Sequence, residues 1–97
     1  MSSPRTFFTR GGDELHGYLR AAGRQHPLIL CSPRRRFVDE LAARVGGRVF
    51  DRAQVHVPIE VLEAAEAELG DADTLIALGG GAAIGLGKAL RVRHPHL

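Results

Sequence analysis

The sequence predicts an α/β protein, a partial doubly wound sheet of parallel strands with flanking helices. Three observations carry that prediction. Short apolar runs such as Leu28-Ile29-Leu30-Cys31 alternate with segments whose apolar residues recur at helical spacing. Glycine pairs and prolines punctuate the joins between them. Finally, Thr74-Leu75-Ile76-Ala77-Leu78 runs straight into Gly79-Gly80-Gly81-Ala82 and a helix-like segment, the strand–turn–helix order of Rossmann-like folds.

In chain order, residues 6–9 (Thr6-Phe7-Phe8-Thr9) form a short strand candidate closed by Gly11-Gly12. Asp13 caps a helix running to about Ala22, with Leu15, Leu19 and Ala22 on one stripe, Tyr18 alongside, and Gly23 as terminator. Pro27 opens a strand over 28–31, apolar throughout as in strands buried on both faces. Ser32-Pro33 reads as an N-cap followed by proline at the first helical position. That helix carries Phe37, Leu41 and Val45 on its apolar stripe and stops at Gly46-Gly47.

Residues 48–50 form a short strand, and a loop through Gln54 to Pro58 leads to a helix over 59–69. Glu60, Glu63, Glu66 and Glu68 are expected to face solvent, and Gly70-Asp71 breaks the helix. The strand over 74–78 and a helix over 82–92 complete the order. Strands joined by helices of this length favour parallel pairing and right-handed crossovers.

The totals narrow the function classes. Ninety-seven residues make one domain, able to bury roughly 60–65% of its unfolded surface. A net charge of +2 is not the dense basic face that nucleic acid requires. No stretch approaches the ~20 apolar residues of a membrane span, and the N-terminal segment has no apolar core of signal length. The single cysteine, Cys31, allows no internal disulfide and suits a reducing, cytoplasmic setting.

Gly79, Gly80 and Gly81 are the strongest pointer to a ligand. Bare glycine backbone lets a phosphate approach the N–H groups, and the following helix adds partial positive charge at its N-terminus. A plain turn is the other reading of the same residues. The named motifs do not fit: Ile84 stands where G-x-G-x-x-G needs glycine, and Ala89 follows Gly87-Lys88 where a Walker loop needs Ser or Thr. Lys88, about two turns into the helix, either reaches back to the ligand or extends to solvent. Gly85 and Gly87 inside a helix each cost about 1 kcal/mol relative to alanine, which close packing would offset.

A second anion candidate is Arg34-Arg35-Arg36, three cations that oppose the dipole at a helix start. With no carboxylate at that strand end before Asp39, a dinucleotide bound there could be NADP as well as NAD. A solvated basic face is the alternative. His56 lies in the loop after the second predicted strand, at the edge where α/β ligands bind. His94 and His96 flank Pro95 in an expected frayed tail. No residue set has the spacing of a catalytic triad or a metal centre, so no catalytic residue and no metal ligand is assigned.

Taken together, Val49-Phe50-Asp51, Val55-His56-Val57-Pro58-Ile59-Glu60-Val61 and the segment from Asp73 to Leu90 resemble the iron-containing alcohol dehydrogenase family. The His-Val-Pro-Ile-Glu wording is most similar to its maleylacetate reductase branch. Phe7-Phe8-Thr9-Arg10-Gly11 and Leu28 to Pro33 fall in the matching order. The resemblance implies that residues 1–97 are an N-terminal dinucleotide-binding portion, truncated before the helical domain that holds the family's divalent metal.

It further implies that Gly79, Gly80, Gly81 and Ala82 match the Gly-Gly-Gly-Ser pyrophosphate loop, with Ala82 lacking the serine hydroxyl. Lys88 matches the lysine that follows that loop. Ser32 lies where the adenosine ribose is approached, and His56 near a cofactor-lining position. The expected activity of the complete enzyme is hydride transfer from NAD or NADP in reduced form to an unsaturated or keto acid. The isolated chain is expected to be inactive and to bind no metal. The rival expectation is a stand-alone α/β nucleotide-binding or protein-interaction module, a gene remnant or one subunit of a split enzyme. A third is a small scaffold whose sheet edge is completed by a second chain, and neither nucleic acid nor membrane is an expected partner.

Overall fold

The structure, a computed structural model, describes residues 12–33 and 38–97. The strand expected over 6–9, the Arg34-Arg35-Arg36 run and Phe37 lie outside the described residues. Seven elements follow in order: α1 (Gly12–Ala21), β1 (Pro27–Leu30), α2 (Val38–Val45), β2 (Arg48–Phe50), α3 (Ile59–Ala67), β3 (Thr74–Ala77) and α4 (Gly81–Arg93).

The three strands form one parallel sheet in the order β2-β1-β3. Leu28 and Leu30 sit opposite Arg48 and Phe50 on one side, and opposite Leu75 and Ala77 on the other. Because β2 and β3 flank β1 on opposite sides, crossovers of one hand must use opposite faces of the sheet. The packing follows that rule. Ile29, Cys31, Val49 and Ile76 pack with Leu15, Leu19, Val38 and Val45 of α1 and α2. Leu28, Leu30 and Phe50 pack with Val61, Leu62 and Ala65 of α3 and Ala83, Leu86 and Leu90 of α4.

Alternate residues of β1 therefore serve two different cores, which is why its apolar run shows no polar alternation. All four of its residues are buried, as that run predicts. Each fully buried leucine or isoleucine contributes roughly 1.5–3 kcal/mol.

Asp13 lies inside α1 rather than capping it, and β1 and β3 each stop one residue early, at Leu30 and Ala77. Four further departures concern the ends of the elements. Ala22 is exposed, because α1 ends at Ala21 and Gly23 turns the chain at φ +71°. Pro33 is a bend residue rather than the first residue of a helix. α3 stops at Ala67, and Glu68 and Leu69 donate to the carbonyls of Ala65 and Glu66, the tightened last turn common at helix ends.

The fourth departure is the tail, which is docked rather than frayed. His94 donates its backbone N–H to Leu90, its Nε2 lies 2.8 Å from Glu66 Oε2, and Leu97 is buried in the α3/α4 core. Glu66 is thus half-buried and engaged by both His94 and Arg93, not turned to solvent. The His94 hydrogen bond, and after it Arg93, hold its carboxyl below the usual range.

Two polar clamps close the amino ends of the strands. The Asp73 carboxylate accepts the backbone N–H groups of Gln25 and His26, and Arg24 donates to the Asp73 carbonyl. Burial works to raise the Asp73 carboxyl, but those two N–H groups and the Arg24 charge outweigh it and hold it below its ordinary value. On the β2 side, Arg48 donates to the carbonyls of Glu68 and Leu69, placing a cation at the negative end of α3.

Candidate functional site

In an open parallel sheet the crevice for ligands lies outside the carboxyl ends of the strands, where neighbouring connections diverge. Here that point is the end of β1, whose chain leads toward β2 while β3 lies on its other side. Backbone bonds hold the three strand ends together. Cys31 donates to Phe50, Ala53 donates to Cys31, and Leu78 donates to Leu30, each at 2.9–3.0 Å. Ser32, the loop from Asp51 to Pro58, and Gly79 to Ala82 all leave the sheet at this edge.

The glycine turn has the geometry of an anion cradle. Gly79 has φ +109°, a conformation that side chains strongly disfavour. Gly80 is the N-cap of α4 with no side-chain cap, and Gly81 and Ala82 begin the helix. The first N–H groups of a helix have no intrahelical partner, and the glycine at the N-cap has no side chain to cap them. A Cβ built at Gly79, Gly80 or Gly81 would meet nothing within 4 Å, so the space in front of these amides is open. Phosphate is the chemistry such a terminus attracts.

His56 belongs to the β2–α3 loop and is exposed. It has φ +64°, and Val57 after it has φ +42°, a rare conformation for a β-branched residue. Val57 packs against the α3/α4 core, and its Cγ2 lies 3.3 Å from where a Cβ of Gly85 would stand. The fold thereby brings the His56 loop beside α4, about one turn, or roughly 6 Å of helical rise, from Gly81.

Ser32 is partly exposed, directly after the central strand. Lys88 is not brought to the turn by its helical position. It is exposed and lines a shallow hollow with Arg91, Val92 and Pro95, on the side of α4 away from buried Ala83, Leu86 and Leu90. The sequence reading passed over Asp51. It directly follows β2, one residue past the Leu30–Phe50 pair, which puts this half-buried residue opposite Cys31 at the carboxyl edge of the sheet. The parallel pairing of two strand ends was the missing signal. Among the described residues, no three His, Cys, Asp or Glu gather as a metal would require, and no helix is long and apolar enough to cross a membrane. Cys31 is buried and free of any disulfide.

The family model described as iron-containing alcohol dehydrogenase matches residues 4–96. Maleylacetate reductase 1 of Cupriavidus pinatubonensis is 39% identical over 95 residues, covering 91% of this chain and 27% of its own length. A maleylacetate reductase of Sphingobium indicum is 42% identical over 73 residues, covering 68% of this chain and 20% of its own. Among solved structures, a maleylacetate reductase from Agrobacterium tumefaciens superposes with a TM-score of 0.80 at 34% identity, over 96% of this chain and 29% of that one. An iron-containing alcohol dehydrogenase from Corynebacterium glutamicum gives 0.74 at 29% identity, over 84% of this chain and 24% of that one. The chain thus spans little more than a quarter of the length of the relatives it matches.

Proposed function

This chain belongs to the iron-containing alcohol dehydrogenase family, and on that premise we propose that it is the NAD(P)-binding portion of a maleylacetate reductase-like oxidoreductase. The observation that carries the reading is the uncapped start of α4, with three glycines opening its amides to free space at the carboxyl edge of the sheet. In the complete enzyme a dinucleotide bound there would supply a hydride for an unsaturated or keto acid.

The chain's own residues do the holding. The amides of Gly80, Gly81 and Ala82 donate to the pyrophosphate, and the α4 dipole adds about 0.3–2 kcal/mol depending on burial. Ala82 gives no hydroxyl, so one donor is missing from the cradle. Ser32 and Asp51 stand at the ribose end, where a carboxylate accepts from a sugar hydroxyl, and His56 walls the opposite loop. The residues present fit a dinucleotide. They do not fit the family's metal, for which the described residues gather no ligand set. A single, buried cysteine, which can form no disulfide within the chain, fits a reducing, cytoplasmic setting.

Titration with NADH and with NADPH, read by thermal denaturation, tests the reading. An upward shift in Tm at millimolar ligand is expected, and no shift with either one overturns it. A larger response to NADPH would support the basic run after β1 as a 2′-phosphate site.

One observation favours a second chain as partner. β2 is shielded by Arg48, which clamps the end of α3, whereas among the described residues β3 has only partly buried Leu75 and Ile76 and exposed Ala77 along an uncharged edge. Native sheets usually blunt such edges with charge or proline. Light scattering should reveal association through β3, and a strictly monomeric, stable chain overturns this second reading.

A further inference from the structure

The His56–Val57 turn is strained twice over. Both residues have positive φ, and Val57 is β-branched and precedes Pro58, which ordinarily confines its neighbour to extended conformations. Strain of this kind persists only where surrounding structure over-determines it. Two neighbours do so here. Ala53 is buried and its N–H is held by Cys31, which fixes the loop to the end of β1. On the other side Val57 seats against α4 at Gly85, where a Cβ would crowd Val57 Cγ2 to 3.3 Å.

Gly85 is unfavourable within a helix, and neither its own φ nor a turn accounts for it. What it does is admit Val57. We propose that Gly85 is a positioning residue of the dinucleotide site: its missing side chain seats Val57 on α4 and so fixes the His56 loop beside α4, at the carboxyl edge of the sheet where the ligand would lie. This rests on the dinucleotide-binding reading above. The ligand class is a dinucleotide or another diphosphate, since the groups that the fold brings to this edge are the amides at the start of α4 and the imidazole of the His56 loop.

Gly85→Ala should leave the helix content intact while pushing the loop outward. The expected result is a loss of NADH or NADPH affinity of roughly two- to tenfold, the scale of one hydrogen bond, with displaced backbone amide resonances of His56. Val57→Ala in the same chain removes the crowding methyl groups, and the double variant should recover the parental His56 resonances and most of the affinity. His56→Gln should lower affinity alone, and Gly85→Ala should cost nothing further in that background.

A Gly85→Ala chain that binds as tightly as the parent, or a double variant no better than Gly85→Ala, overturns the inference while the functional reading stands. No response of the parent chain to either dinucleotide overturns the functional reading. In that event unchanged His56 resonances in Gly85→Ala overturn the positioning as well.

Discussion

Ala82 and Gly80 separate binding from folding at single positions. Ala82 is the second residue of α4, partly buried against the α3/α4 core, at the position that the family resemblance matches to a serine hydroxyl. Ala82→Ser should tighten dinucleotide binding by about 0.5–1.5 kcal/mol, measured by calorimetric titration. Gly80 has φ −98°, which any residue can adopt. Gly80→Ala should therefore fold with near-parental stability and lose ligand affinity, because its methyl enters the phosphate's approach. Gly79 differs: at φ +109° a side chain is strained, and Gly79→Ala should cost of order 1–3 kcal/mol of stability in urea unfolding.

Asp73 makes the pH prediction. Its folded carboxyl is held below the ordinary value by the Gln25 and His26 amides and Arg24, against the opposing effect of burial. A depressed carboxylate stabilises the fold above its unfolded pKa of about 3.9 and loses that contribution as pH falls through the folded value. Asp73→Asn should thus cost about 1–2 kcal/mol at neutral pH. The gap between the two chains should narrow below about pH 4, as urea melts at neutral and acidic pH would show.

Among the elements, β1 and α4 carry the most. β1 is buried on both faces and paired on both edges. α4 closes one core through Leu86 and Leu90, both fully buried, and offers its amino end to the ligand. Leu86→Ala should destabilise the protein by about 2–5 kcal/mol, read as a lower denaturation midpoint with unchanged slope. The same substitution should weaken ligand binding only through the unfolded fraction, since Leu86 points into the core, away from the open amides.

Element positions were largely legible in the chain because their signals are local. The apolar run 28–31, the glycine terminator at Gly23 and the Thr74 to Gly81 transition all lie within a few residues of what they specify. The element ends were less so. α3 stops before Leu69 and the tail folds back because Glu66 finds Arg93 and His94, partners more than 25 positions away. A glutamate on a helix looks solvent-facing until the neighbouring helix is placed beside it.

For the whole molecule, the three-layer arrangement follows from strand order. Once β1 lies between β2 and β3, α2 and α3 must take opposite faces, and the carboxyl ends converge on one crevice. The purified chain is expected to bind a dinucleotide yet show no NAD(P)H-dependent maleylacetate reduction, followed by absorbance of the reduced nicotinamide. Measurable turnover would contradict this.

Local pattern was enough to specify the α/β order, the parallel sheet and the glycine turn, because strand burial, helix periodicity and turn chemistry are short-range properties of the chain. Family membership rested likewise on runs of adjacent residues. Three features needed the folded chain: the place of Asp51 opposite Cys31, the seat of Val57 on Gly85, and the docked tail. Each depends on residues distant in sequence being brought together by packing, and no short window of the chain contains both partners.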